Sequence, residues 1–257
     1  MAPPLRDRCL SHFTALGITL DAESLDAVLA RTEKEKTSHL GFLDLLLGPL
    51  AATRRERAVE RLLRDAHFEE TKTLEGSDWK FNPEAFPRAQ IEELATGDFI
   101  RRHTNLIFVG WSGVGKSHMI QALGQKACVH GYRVLYKTSA QLLTELTASL
   151  ADKTLPQKLR DYARPDLLII DEFGFDRIER TECPQAAHLL YKIIALRHHK
   201  RSTALVTNVD FEKWGDYLPD GPLAMAFLDR LVDGAIILTI KGKSYRAKRS
   251  GGENPVQ

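Results

Sequence analysis

Gly110, Trp111, Ser112, Gly113, Val114, Gly115, Lys116 and Ser117 complete the pattern G-x-x-x-x-G-K-[ST]. The apolar run Leu106-Ile107-Phe108-Val109 precedes it, and a stretch of helical character from Ser117 to His130 follows. Strand, glycine loop and helix in that order are what phosphate binding requires. The glycines let the backbone curl until its N–H groups point inward at an anion. The helix N-terminus adds partial positive charge. Lys116 neutralises β- and γ-phosphates, and the Ser117 hydroxyl can hold Mg²⁺. His118 completes the candidate nucleotide-contacting stretch. The order of elements commits the chain to an α/β fold that binds a nucleoside triphosphate.

From Leu106 onward, strand and helix alternate, which predicts a parallel sheet covered on both faces. The expected strands are Leu106–Val109, Arg133–Lys137, Leu167–Asp171, Thr203–Thr207 and Ala235–Ile240. The expected helices between them are Lys116–His130, Ala140–Leu150, Pro156–Tyr162, Pro184–His199 and Leu223–Val232. Upstream, Leu25, Val28 and Leu29 have helical spacing, as do Leu40, Leu43, Leu46 and Leu47. Pro49 then fits near the start of another helix running to about Phe68. The expected organisation is therefore a helical N-terminal domain over 1–75 and a connecting segment over 76–104. An ATPase domain follows over 105–249, with a disordered tail over 250–257. Turn signals at Gly76-Ser77, Asn82-Pro83, Phe86-Pro87 and Gly97-Asp98 mark the connecting segment, with a short helix at Arg88–Ala95.

At 257 residues, with 36 basic side chains nearly cancelling 34 acidic ones, global charge gives no pointer to a partner. No apolar run approaches the roughly 20 residues that span a bilayer, and the N-terminus has no signal-peptide core. Cys9, Cys128 and Cys183 are scattered and odd in number, against a disulfide framework or structural zinc. A cytoplasmic protein without a membrane partner is expected.

Two further strand ends carry chemistry. Leu167-Leu168-Ile169-Ile170 runs into Asp171-Glu172. Asp171 is placed to act on Mg²⁺, and Glu172 to orient or deprotonate the attacking water. Ala204-Leu205-Val206-Thr207 ends at Asn208, an uncharged amide that can touch the γ-phosphate or the lytic water. Simple turn chemistry is the alternative reading of an asparagine there. Positive charge for the transition state has three candidates: Arg230, Arg197 and Arg201.

The ordered set Gly110–Ser117, Asp171-Glu172, Thr207-Asn208 and Asp229-Arg230 resembles the AAA+ ATPases. More specifically it resembles the IstB subfamily of transposition helper ATPases, relatives of the DnaC-type helicase loaders. Supporting stretches are Glu93–Ile100, Ile170–Gly174, Trp214-Gly215, Leu228–Leu231 and Gly242–Arg246, so the likeness covers roughly residues 35–249. It implies a P-loop AAA+ core with a parallel five-stranded sheet. It further implies ATP and Mg²⁺ as cofactors and bacterial cytoplasmic location. Lys116 and Ser117 match the Walker A pair, Asp171 and Glu172 the Walker B pair, and Asn208 the sensor I position. Arg230 matches the arginine that reaches a neighbouring subunit's nucleotide, which makes contacts head-to-tail and assemblies ring-like or helical. Trp111 and Ser112 stand where the family commonly has two prolines. After Arg230 the chain leaves no room for the C-terminal helical lid of most AAA+ proteins, so a lidless core is expected.

For this family the expected partners are double-stranded DNA, a transposase and further copies of the chain. ATP-dependent assembly on DNA would assist the transposase in target selection. Arg54, Arg57, Arg61 and Arg64 share one helical face, with Ala52, Val59, Leu62, Leu63 and Ala66 opposite for packing. Such a stripe suits phosphate contacts; a solvated face relieved by Glu56 and Glu60 fits the same spacing. Lys153, Lys158 and Arg160, in the stretch Ser139–Pro165 that is expected to hold two helices where many phosphate-loop proteins have one, form a second candidate DNA surface. Lys243 and Arg246 in the basic tail form a third. A replicative helicase loader would use the same core. A small-molecule kinase would need an acceptor pocket, and an ATP-binding scaffold would not need Glu172.

Overall fold

The computed structural model describes residues 3–80, 82–83, 85–176 and 178–245. The chain forms two compact units, 1–60 and 61–257. In the first lie α1 (Leu5–Ala15), α2 (Ala22–Glu35) and most of α3 (His39–Asp65). Asp21 caps α2 by accepting from the Ser24 N–H at 2.7 Å, and Arg6 on α1 pairs with Asp26 on α2. Leu25 and Leu46 are buried, whereas Leu29, Leu40, Leu43 and Leu47 are exposed.

Two expectations for this stretch change. Pro49 does not begin a helix; it lies inside the 27-residue α3. Its missing N–H removes one hydrogen bond of the ladder, and the turns on both sides carry the helix through. Ala52 is exposed rather than packed, while Leu62, Leu63 and Ala66 do pack, into the core of the second unit. That packing is why the division falls at 60/61, and not near residue 75. The Tyr136 N–H also donates to the Ala66 carbonyl at 2.8 Å.

The second unit continues with α4 (Arg88–Ala95), α5 (Asp98–Arg101), β1 (Leu106–Gly110), α6 (Lys116–Val129), β2 (Val134–Thr138), α7 (Ser139–Ala151) and α8 (Leu155–Ala163). Then come β3 (Leu167–Phe173), a π-helical segment Ile178–Glu182, α9 (Ala186–Arg197), β4 (Ser202–Thr207), α10 (Trp214–Tyr217), α11 (Gly221–Val232) and β5 (Ile236–Ile240). Residues 76–104 belong to this body, since Ile91, Leu94, Phe99 and Ile100 are buried in its core.

The five strands form one parallel sheet in the order β2-β3-β4-β1-β5. Side chains alternate between its faces with period two. Leu106, Phe108, Leu167, Ile169, Ala204 and Val206 enter one core with α4, α5 and α6. Ile107, Val109, Leu168, Ile170 and Leu205 enter the other, under α7, α9 and α11. All strands point the same way, so their C-terminal ends gather the loops that follow β1, β3 and β4. The β3–β4 register is irregular between Ile170 and Phe173, where Glu172 adopts φ 57°.

Candidate functional site

A cavity of about 820 Å³ opens at those strand ends. The phosphate loop forms its floor. Gly110 lies so close to β5 that a Cβ would stand 2.1 Å from the Ile240 carbonyl oxygen, which leaves only glycine at that strand end. Gly115, at φ 100°, is the N-cap of α6 and makes no side-chain cap, so the first N–H groups of the helix remain directed at the loop. Lys116 is buried and donates to the Gly110 carbonyl at 2.6 Å and the Trp111 carbonyl at 2.7 Å. Trp111 is exposed and Val114 buried, while Ser112, Gly113, Gly115, Lys116, Ser117 and His118 line the cavity. His118 meets the Ser77 hydroxyl at 3.2 Å, and burial lowers its pKa.

β4 separates β1 from β3, yet the Ser117 hydroxyl donates to Asp171 Oδ1 at 3.1 Å. Asp171 is fully buried and also accepts from the Tyr136 hydroxyl at 2.9 Å and the Glu172 N–H at 2.7 Å. Burial nevertheless raises its carboxyl above the ordinary aspartate range. Glu172 is exposed and lines the cavity from a left-handed backbone position that strains a residue with a Cβ.

Asn208 and Arg230 do not line this cavity. Asn208, exposed at the end of β4, sits against the exit of β3: a Cβ on Gly174 would approach its Oδ1 to 2.6 Å. Arg230 on α11 lies over the Tyr191 ring of α9, 4.5 Å from its centroid. The other two arginines have structural tasks. Arg197 is buried and donates to Thr203 Oγ1 at 3.0 Å and to the carbonyls of Tyr162, Ala163, Pro165 and Ser202. Buried among these acceptors, it is not placed to meet a phosphate. Arg201 pairs with Asp166 at 3.4 Å, beside the first residues of β3 and β4 and so at the opposite end of the sheet.

Sequence reasoning missed several cavity residues. Tyr245, between the basic-tail residues Lys243 and Arg246 in the stretch 242–246, donates its N–H to the Gly113 carbonyl at 2.9 Å and its hydroxyl to the Asp78 carbonyl at 3.1 Å. Its ring and that of Phe86 both stand over Gly115. Asn82 exchanges two hydrogen bonds with the backbone of Lys243, at 2.8 and 2.9 Å. Glu69 adds a third carboxylate beside Asp171 and Glu172; burial, then those two charges, raise its pKa. Apart from Phe86 over Gly115, these contacts join residues more than a hundred positions apart, and no local motif carries them.

Of the basic candidates, Arg54 and Arg57 in the first unit are exposed, as are Arg61, Arg64, Lys153, Arg160 and Lys243 in the second. Lys158 is held by Glu145 at 2.9 Å, which already takes Lys137. Arg246 lies outside the described residues, as does the expected tail.

A glycine loop at the start of α6, a buried strand-end acid bonded to its serine, and the sheet order β2-β3-β4-β1-β5 define a P-loop ATPase of the AAA+ type. Solved structures share the fold: DnaI at TM-score 0.54 and 20% identity, covering 71% of this chain and 94% of that one, and the DnaC helicase loader at 0.51 and 18%, covering 71% and 99%. The chain belongs to the family of IstB-like ATP binding proteins, whose pattern it matches over residues 11–252. It is 31% identical over 95% of both chains to an ATP-binding protein of insertion sequence IS5376 from Geobacillus stearothermophilus. It is 34% identical to the IS21 counterpart from Pseudomonas aeruginosa, over 87% of this chain and 83% of that one. No helix among the described residues is long and apolar enough to cross a membrane.

Proposed function

We propose that this protein is an ATP-dependent DNA-binding ATPase that assembles head-to-tail on double-stranded DNA and assists the transposase of an insertion sequence in choosing its target. The observation that carries the reading is the position of Arg230, fixed over Tyr191 and away from its own cavity. An arginine held there is available to the nucleotide of a second copy.

Within one subunit, the triphosphate lies on the N–H groups of the loop. Lys116 exchanges its two loop carbonyls for the β- and γ-phosphates. The donor set of Ser117 hydroxyl and Asp171 carboxylate, both hard oxygens converging within hydrogen-bond distance, fits a divalent cation such as Mg²⁺. When bound, that ion neutralises charge on the β- and γ-oxygens. Glu172 takes the proton of the attacking water, and Asn208 holds that water or the γ-phosphate. The aromatic rings of Phe86 and Tyr245 offer the base an apolar wall. Arg54, Arg57, Arg61, Arg64, Lys153, Arg160 and Lys243 are the exposed cations for DNA phosphates, a contact set without base readout.

Mixing two inactive variants tests the shared site. Arg230→Ala and Glu172→Gln each lose hydrolysis alone. Combined, they regain part of it, because some interfaces pair an intact Glu172 with an intact Arg230. No recovery on mixing, or a protein that stays monomeric with duplex DNA and a slowly hydrolysed ATP analogue, overturns the proposal.

A further inference from the structure

Glu179 is a carboxylate with no exposed surface, in the π-helical segment after β3. Burying a carboxylate is costly unless it is well bonded, and burial raises its pKa here. Its partners come from separate elements. The Gly174 N–H donates to Oε2 at 2.8 Å, and the Tyr217 hydroxyl of α10 donates to the same oxygen. The buried Ser139 hydroxyl, at the start of α7, adjoins the carboxylate, but neither it nor Glu179 Oε1 has a hydrogen-bond partner among the described residues.

Gly174 lies two residues beyond Glu172, and its position is fixed from two sides. On one side is the Glu179 carboxylate. On the other, a Cβ would meet Val209 Cγ2 at 2.3 Å and Asn208 Oδ1 at 2.6 Å. Tyr217 extends the tie to the segment following β4, where its ring packs on Phe173 at 5.7 Å between centroids. The exits of β3 and β4 are thus clamped together around a single buried acid. Those exits carry Glu172, whose backbone is in the left-handed region, and Asn208.

We infer that Glu179 is a positioning residue for ATP hydrolysis: it holds the β3 exit against the β4 exit, and so sets where Glu172 and Asn208 meet the water. The inference rests on the reading of Glu172 as the group that acts on that water. Glu179 touches neither nucleotide nor cation and takes no proton.

The test compares Glu179→Ala, Glu179→Gln and Tyr217→Phe in the full chain, measuring kcat and, by fluorescent ATP-analogue titration, nucleotide Kd. Glu179→Ala is expected to lower kcat by more than about tenfold, since two donors lose a charged acceptor, with nucleotide Kd unchanged. Glu179→Gln keeps a carbonyl oxygen for both donors and restores most of kcat. Tyr217→Phe keeps the ring, loses one tie, and gives a smaller loss of kcat. Added to Glu172→Gln, Glu179→Ala causes a smaller fall than it does in the wild type, because part of its effect passes through Glu172. Wild-type kcat in Glu179→Ala, or equal loss of kcat and nucleotide affinity in every variant, overturns the inference. If Glu179→Ala does not fold, wild-type kcat in Tyr217→Phe overturns it. Failure of the underlying reading looks different: Glu172→Gln itself would then hydrolyse ATP at the wild-type rate.

Discussion

Leu25 and Leu46 are the apolar side chains buried among the described residues of the first unit, whereas in the second every position from Leu167 to Asp171 is fully buried. The leucines of the first unit recur with helical spacing, whereas Leu167–Ile170 is a continuous apolar run. In the second unit, helices cover both faces of a sheet, so apolar groups on either side find an interior. In the first, three helices leave Leu5, Leu16, Leu40 and Leu43 at the surface. Periodicity identifies a helix and its apolar face; it does not say what that face is buried against.

The contrast breaks most sharply under core truncation. Ile169→Ala removes a fully buried side chain from the middle of the sheet and is expected to cost about 2–5 kcal/mol. Urea unfolding followed by circular dichroism measures it. A cost below about 1 kcal/mol would mean the second unit tolerates loss as the first is expected to, erasing the distinction.

Next in size is the chemistry that the rigid unit supports. Glu172→Gln should lower kcat at least about a hundredfold, or about 2.7 kcal/mol, and leave nucleotide affinity within about twofold. Single-turnover hydrolysis and equilibrium titration separate the two quantities. An unchanged rate would remove Glu172 from the site.

The phosphate loop and the Asp171-Glu172 pair were legible because each is local: a few adjacent residues specify a turn and a strand end. The AAA+ likeness implied a parallel five-stranded sheet, and the strand bounds lie within one or two residues of those expected. The order β2-β3-β4-β1-β5 is visible only in the structure. What stayed hidden depends on distant packing. Arg197 has the charge of a catalytic arginine, and only its carbonyl partners at the end of α8, on the α8–β3 connection and in β4 reveal a structural role. Tyr245 reads as part of a basic tail until the turn after β5 lays it over Gly113. Pro49 signals a helix start by local preference, which the continuous α3 overrides.

A smaller effect, of opposite sign, concerns the cost of holding Asp171 in the core of the second unit. Its pKa is raised by burial, so the folded protein keeps that proton to higher pH than the unfolded chain does. Stability from this group is therefore fully present below the ordinary aspartate value and is lost as pH rises through the raised one. Asp171→Asn removes the charge and keeps one oxygen for the Ser117 hydroxyl and the Glu172 N–H, which share Oδ1. The Tyr136 hydroxyl at Oδ2 turns to accept from the new amide N–H. The nucleotide-free variant should melt higher than wild type at pH 7, by about 1 kcal/mol, and the difference should vanish toward pH 4. Thermal melts of both proteins across that range check it. A variant that melts lower at pH 7 would show that the charge is stabilised in place.

The smallest expected effect tests the other side of the comparison. Leu40 is 78% exposed and Leu43 46% exposed on α3, so Leu→Ser at both removes little burial from the isolated chain. The summed change in unfolding free energy should stay within about 1 kcal/mol, near the helix-propensity difference alone. Differential scanning calorimetry of the full chain resolves a change of that size. A larger loss would mean that these leucines already have a buried environment in solution, which one copy of the chain does not provide. The first unit would then depend on assembly for its core, as the second does not.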